Sequence, residues 1–462
     1  MATANPAVRP AAAPTLANHL YRAVWRWHFY AGLFVIPFMM LLAITGGLYL
    51  FDDEINGLVY GERLHVEVPA SDRLPPSTQL EAALDAHPGA LLEDYVAPAG
   101  ADRSSVFHLA TANGGSVQAY VDPYTGRYLG SAAGGDNGRK TWLMQFIEDV
   151  HSLDILGVRA EHVIEIVAGW VIILVFSGIY LWWPRGRRGG VVTLRGTPKK
   201  RIFWRDLHAV GGIFAGLFVV FLAFTGLPWS GSWGSWLGQI ANRYQGGYPL
   251  GVWDGVPTST VPTKEQIGDT GWTVKDAPMP LSQPIGAKPI GLDRAAEIVE
   301  GLGMAAGYQL IPPSDEAGVY SAQIFPDDLA DQRIIHLDQY TGEPLVDAGF
   351  EDYGPVAKAV EWGINVHMGR EFGRANQLIL ALACLTILVT SIAALVMWWK
   401  RRPRGSLGAP PAPDDRRTRY GMLAIMLGVG VLFPLTGFSL LIVLALDMVL
   451  LSRLPALRQA LS

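Results

Sequence analysis

Cysteine is nearly absent from this chain. Cys384 is the single one in 462 residues and lies in an apolar run, which excludes a disulfide framework, a Cys-rich zinc or iron–sulfur site and covalent c-type haem attachment through C-x-x-C-H. Charge is scarce as well: Asp, Glu, Lys and Arg make up 17% of the chain, too little to coat a soluble protein of this size. There is no basic excess, since 36 Lys and Arg stand against 41 Asp and Glu for a net charge of −5, so a nucleic-acid backbone is not a partner. No G-x-G-x-x-G follows a strand and no G-x-x-x-x-G-K-[ST] occurs, which removes any recognisable NADPH, flavin or nucleotide domain. Ser-His-Asp and H-E-x-x-H signatures are missing too, so hydrolysis has no support. Metal chemistry is left to His, Met or carboxylates.

Apolar sequence is abundant, at 50% of residues and a mean hydropathy of +0.24. Four runs, 29–51, 163–183, 209–229 and 378–399, each supply the roughly 20 apolar residues that cross a bilayer. They predict a polytopic α-helical membrane protein with spans in 23–51, 161–183, 205–229 and 374–399. The first run is too long for a signal-peptide core, and Phe51-Asp52-Asp53-Glu54 follows it instead of a small-residue cleavage site, so it is expected to remain as an anchor. The chain after the second span carries Arg185, Arg187, Arg188, Arg195, Lys199, Lys200, Arg201 and Arg205 with no acid before Asp206, in and just after loop 184–204, and loop 400–419 opens Lys400-Arg401-Arg402-Pro403-Arg404. Both are expected in the cytoplasm together with the 1–22 tail, with the more acidic segments 52–160 and 230–373 outside. Trp25, Trp27, Trp182, Trp183, Trp204, Trp398 and Trp399 read as anchors at the inner interface, and Trp229, Trp233 and Trp236 as a belt at the outer one, with a ligand platform as the alternative. The spans are read as lacking buried acidic or basic residues that would mark a transport path. The apolar stretch 420–452, interrupted by Pro434 and Gly437 and flanked by arginines before the 453–462 tail, reads as a helical hairpin, with one kinked span as the alternative.

The chain also repeats itself. Arg26-Trp27-His28, Gly32 and Thr45-Gly46 recur as Asp206-Leu207-His208, Gly212 and Thr225-Gly226. Asp122-Pro123-Tyr124-Thr125-Gly126, His151, Gly157 and Trp182-Trp183-Pro184 recur as Asp338-Gln339-Tyr340-Thr341-Gly342, His367, Gly373 and Trp398-Trp399-Lys400. Each unit is a helix, an exported insert, a histidine, a second helix and a basic tail. Two spans per unit predict parallel repeats around a pseudo-two-fold axis along the membrane normal. Alternating stretches such as 116–121 and 333–337, preceded by helical stretches 77–86 and 293–300, predict a small α+β module in each insert.

In these motifs, taken in their order and duplication, the chain resembles the PepSY-associated transmembrane proteins, or iron-regulated membrane proteins, from Trp25 to about Arg402. The Asp-Pro-Tyr-Thr-Gly strand and turn resembles the end of a PepSY domain. The resemblance implies the bacterial inner membrane, haem in some members, and ferric-siderophore reductases among them.

The duplication sorts the ten histidines. His28 and His208 stand at equivalent positions, each with a glycine one turn on, Gly32 and Gly212, giving the clearance a flat macrocycle needs. His151 and His367 form the other equivalent pair. Two imidazoles from facing segments can fill both axial positions of a haem iron, although imidazole also suits copper, zinc or non-haem iron. An interfacial or helix-terminal histidine with a structural role is the plainer alternative for each. His162 has Leu378 as its counterpart, so symmetry does not support it as a ligand. His19, His65, His87, His108 and His336 read as ordinary surface or fold residues. The expected cofactors are two non-covalent haem b groups, bis-His, one on His28 and His208 and one on His151 and His367. The expected partners are the lipid bilayer, a cytoplasmic or quinol electron donor and a periplasmic ferric chelate, which makes a haem-dependent ferric reductase the leading activity. A non-enzymatic PepSY scaffold that binds a peptidase, and a transporter, are the rivals.

Overall fold

The structure is a computed structural model, which describes residues 16–134, 140–157, 160–184, 189–268, 270–284, 286, 288–409 and 416–453. Arg185, Arg187 and Arg188 lie outside the described residues. The helices in chain order are α1 (Leu16–Tyr49), α2 (Asp52–Leu64), α3 (Pro76–Ala86), α4 (Trp142–Ser152), α5 (Ala160–Trp182), α6 (Arg201–Gly226) and α7 (Gly231–Arg243). They continue with α8 (Thr263–Ile267), α9 (Gly271–Val274), α10 (Gly291–Gly301), α11 (Pro355–His367), α12 (Gly373–Trp399), α13 (Arg416–Leu432) and α14 (Pro434–Arg453). Among the described residues four stretches are long and apolar enough to cross a membrane: His19–Tyr49, Ala160–Trp182, Arg201–Trp229 and Gly373–Trp399. The protein is a membrane protein. All four helices start before the expected apolar runs, because they continue through polar residues at their N-terminal ends. The chain divides into two compact units, unit 1 (Met1–Met40, His162–Ala223, Thr386–Ser462) and unit 2 (Leu41–Glu161, Phe224–Leu385).

Unit 1 is helical, and small residues set how closely its helices approach, as expected where lipid gives no hydrophobic drive between them. A Cβ on Gly216 would stand 3.2 Å from Val175, and one on Gly211 2.5 Å from the Thr390 hydroxyl. Trp182 and Trp398 each donate Nε1–H to a carbonyl at 2.9 Å, those of Val191 and Leu407. The C-terminal stretch is two helices: α13 ends before Phe433, Pro434 opens α14 at the one position where a missing N–H is harmless, and Gly430 lies against Gly437. α14 packs on α5, with Thr436 against Gly169 and Trp170 Nε1 donating to Ser439 Oγ at 2.9 Å. One expectation is corrected here. Glu165, in α5, is 1% exposed, so a span does hold a buried carboxyl. A 20-residue window tolerates one acid, which is why the composition of the run concealed it. Electron transfer is therefore not favoured over transport by any lack of charge in the spans.

Unit 2 holds the inserts. Their strands are β1 (Leu91–Val96), β2 (Ser105–Ala110), β3 (Ser116–Val121), β4 (Tyr128–Ala133), the short pair β5 (Thr258–Pro262) and β6 (Pro278–Pro280), then β7 (Gln309–Ile311), β8 (Val319–Ile324), β9 (Arg333–Asp338) and β10 (Pro344–Gly349). The expected separate modules are instead joined in one antiparallel eight-stranded sheet, β10-β9-β8-β7-β1-β2-β3-β4. The seam is Tyr95 opposite Leu310 and Val96 opposite Gln309. Left apart, β1 and β7 would each present an unpaired edge, and pairing them removes both. α3 and α10 cover one face, packing Ala83, Ala295 and Val299 on Phe107, Leu109, Ile335 and Leu337. Ser77 donates to Asp293 from its backbone N at 2.7 Å and from its hydroxyl at 2.6 Å, linking positions 216 apart, the offset of the second sequence repeat. The Asp-x-Tyr-Thr-Gly turn is built the same way twice: the aspartate carboxylate accepts from the Tyr and Thr amides (2.9 and 3.3 Å at Asp122, 2.8 and 2.9 Å at Asp338), and Gly126 and Gly342 take φ of +70 and +74. That positive φ is why the fifth residue is glycine. On the sheet's other face His108 donates to Asp94 at 2.6 Å and His336 pairs with Ser321 at 2.8 Å. Both histidines are buried and belong to the fold. His87 meets the Tyr128 hydroxyl at 3.0 Å and His65 lies 3.5 Å from Asp102.

Candidate functional site

Unit 1 brings His28 of α1 and His208 of α6 together, their ring centroids 6.3 Å apart and their planes at 69°. The hydrogen bonds settle which nitrogen of each ring carries the proton. His208 Nδ1 stands 3.1 Å from the main-chain oxygen of Thr390, which can only accept, so Nδ1 is the donor. His28 Nδ1 stands 2.8 Å from Ser177 Oγ, whose own proton goes to the Leu174 carbonyl at 3.1 Å, so the serine accepts from Nδ1–H. Nε2 is then the nitrogen left with a lone pair on both rings, the arrangement that metal-bound imidazoles take from their neighbours. The two rings would hold a metal-bearing group through these nitrogens.

Both histidines line a cavity of about 570 Å³, within the ~300–1,000 Å³ usual for cofactor sites. Its walls include Val171, Leu174, Ile213 and Leu395, and Arg201, Arg205 and Arg401 also line it. Gly32 and Gly212 line it too, and a Cβ on either would find no atom nearer than 3.9 Å. Gly178, which also lines the cavity, allows close approach to the His28 ring, with an ideal Cβ only 3.2 Å from Cε1. An apolar slot lined by a pair of imidazoles and three guanidinium groups suits a flat apolar group with an anionic edge. A haem b matches that description.

Unit 2 holds the second pair. His151 stands in the last turn of α4 and His367 ends α11. His151 Nδ1 meets Thr45 Oγ1 at 2.8 Å, and His367 Nδ1 meets Thr225 Oγ1 at 2.8 Å. Thr45 donates its own proton to the Leu41 carbonyl at 2.9 Å and so accepts from His151, which again leaves Nε2 as the ligand nitrogen. The glycine after each threonine makes room for the ring: ideal Cβ atoms would lie 3.2 Å from His151 Cε1 at Gly46 and 3.7 Å from His367 Cε1 at Gly226. This explains the recurring Thr-Gly, a motif visible in the sequence without a role. Burial pushes the His151 pKa down to about 4, and burial together with repulsion from His151 pushes His367 down to about 3, so both stay neutral. Neutral imidazole is the form that ligates. The Trp229 ring meets His367 edge-on at 6.2 Å.

The structure brings the His28 and His208 rings together and sets His151 and His367 each against the threonine of a Thr-Gly motif, while His162, in the first turn of α5, does not line the cavity. Their partners Ser177, Thr45, Thr225 and Thr390 and the clearance at Gly178 were not read from the sequence as functional. Among the described residues no group of three or more His, Cys, Asp and Glu could hold a metal ion. Two protein ligands per site suit a macrocycle that supplies the other four, and do not suit zinc, which takes three or four from the protein.

The sequence profile of the PepSY-associated TM region matches residues 25–401. The chain belongs to that family. The PepSY-associated region takes in all four histidines, both Thr-Gly motifs and both inserts, as the motif resemblance implied. No curated protein matches the chain.

Proposed function

We propose that this PepSY-associated protein is a di-haem oxidoreductase of the bacterial inner membrane that passes electrons to a periplasmic ferric chelate of the siderophore class. The observation that carries the reading is the state of the four imidazoles: Nδ1 of each is committed to a hydroxyl or carbonyl oxygen, which leaves four Nε2 atoms in two pairs. His28 and His208 would hold one haem b and His151 and His367 the other. When bound, the iron supplies one-electron chemistry between its ferric and ferrous forms. The apolar walls keep water from the first pair, Arg201 and Arg401 offer cations to a carboxylate edge while Arg205 is ion-paired with Asp206 at 2.7 Å, and Thr45 and Thr225 hold the second pair in the ligating tautomer. The sequence carries no recognisable nucleotide-binding motif, so the donor is a cytoplasmic protein or a quinol. Orientation follows the basic loops, with Gly190 and Gly405 in the cytoplasm and Gly114 and Gly301 in the periplasm. Reporter fusions at those four residues test it, and a periplasmic signal at Gly190 would reverse the arrangement.

The absorption spectrum of the purified protein tests the central claim, with a Soret band and two haem b per chain expected. A colourless, folded preparation would favour the scaffold reading. Dithionite-reduced protein mixed anaerobically with ferric siderophores should then reoxidise, each ferrous haem giving one electron to one Fe(III). Persistent ferrous haem with every chelate would reject the reductase assignment and leave the haem standing.

A further inference from the structure

α7 begins two residues after the third apolar stretch ends at Trp229. The turn between them is tight: a Cβ on Gly234 would collide with the Pro228 carbonyl oxygen. At 100° per residue, α7 sorts into three faces. Gly234, Gly238 and Ala241 are buried, and Ala241 belongs to the same core as Trp272. Ser235, Gln239 and Arg243 form an exposed polar face. Between these two runs a third stripe, Trp236, Ile240 and Tyr244, which is 55%, 37% and 75% exposed and continues from Trp229 at 47%.

Large apolar side chains left in water cost about 25 cal/mol for each Å² they expose. A stripe that starts where a membrane span stops has the lipid headgroup layer beside it, and tryptophan and tyrosine are the side chains that favour that layer. α4, which precedes the second span, has the same character: Trp142 and Phe146, one turn apart, are 53% and 52% exposed. We propose that α7 lies along the membrane surface with Trp236, Ile240 and Tyr244 in the headgroup layer, its small-residue face on the extramembrane core and its polar face in water. Lipid is the occupant because the stripe is continuous with the span's own apolar surface. The same seat puts Trp229, and with it the edge of the His367 ring, at the membrane boundary.

Spin labelling tests this independently of any cofactor. In a Cys384→Ala background, Ser235→Cys, Trp236→Cys, Gln239→Cys, Ile240→Cys and Tyr244→Cys variants of the full chain would each be nitroxide-labelled and reconstituted into phosphatidylcholine vesicles. Collision with oxygen, which partitions into lipid, is compared with collision with a water-soluble nickel chelate. The oxygen-to-nickel ratio is expected to exceed unity at 236, 240 and 244 and to fall below unity at 235 and 239. A ratio below unity at all five sites would place α7 in water, and low collision with both reagents at 236, 240 and 244 would place a protein over the stripe. Either result overturns the proposal. Variants whose circular dichroism departs from the parent are replaced by the neighbouring stripe residue Trp233→Cys, read on the same scale.

Discussion

The two histidine pairs are supported by different means. In unit 2 both members of each contact recur in the sequence, Thr45 with His151 and Thr225 with His367, and both bonds measure 2.8 Å. In unit 1 the acceptor shared by the two copies is main chain: His208 bonds the Thr390 carbonyl, and the carbonyl of Leu174, at the repeat-equivalent position, faces His28 beside the Ser177 hydroxyl. What an axial imidazole needs at Nδ1 is an acceptor, and any residue or the backbone can supply one. The surroundings differ too, since the first pair lines an apolar cavity with three arginines around it, whereas the second stands at the ends of α4 and α11 with Trp229 against one ring.

Removing a ligand should break this comparison most severely. On the proposed reading, in which each pair would hold one haem, His28→Ala and His208→Ala are expected to lose the same haem, about half of the total, and His151→Ala and His367→Ala the other half. Pyridine haemochrome analysis of the purified variants measures it. If His28→Ala and His151→Ala emptied the same site, the pairing would be wrong.

Removing an Nδ1 acceptor should act less strongly. Thr45→Val leaves a donor unmatched and should weaken haem retention about 10–100-fold at its own site, read as the rate of haem transfer to apomyoglobin, and Ser177→Ala should act less, because the Leu174 carbonyl also faces His28. Thr390→Ala keeps its carbonyl and should change His208 little. An equal loss in all three would mean that packing, rather than the hydrogen bond, holds the rings.

The glycines offer a finer contrast within unit 2. Gly46→Ala crowds His151 at 3.2 Å, whereas Gly226→Ala makes an ordinary contact with His367 at 3.7 Å. The first should shift the low-spin electron paramagnetic resonance of the second haem and the second should leave it unchanged. Identical spectra would show that the ring adapts.

The smallest effect is on stability without haem. His151 and His367 titrate near 4 and 3 when folded, against 6.5 ordinarily. As pH falls from 6.5 towards 4 the unfolded chain takes up protons that the buried rings refuse, so stability is lost in that window, by about 1.4 kcal/mol per pH unit for each histidine. Denaturant midpoints at pH 7 and pH 5 measure it, and His151→Gln should flatten the slope. A midpoint independent of pH would place the rings in water.

Membrane character, the four long apolar helices, the two Asp-x-Tyr-Thr-Gly turns and the recurrence of the four histidines were legible in the sequence, because each depends on local composition or on recurrence at a fixed offset. A run of about 20 apolar residues determines a span without reference to the rest of the chain, and an aspartate two residues before Tyr-Thr-Gly determines its own turn. The joined sheet was not legible, since the pairing of Tyr95 with Leu310 depends on two strands more than 200 residues apart sharing an edge. Nor were Ser177 and the Thr390 carbonyl, because any hydroxyl or main-chain oxygen can accept from Nδ1 and only the approach of α5 and α12 to the two rings selects these. Glu165 marks the same limit from the other side: the sequence shows an acid within an apolar run, and only packing decides that it is buried. Sequence sets what each segment can do by itself, whereas partners chosen by proximity exist only once the helices have packed.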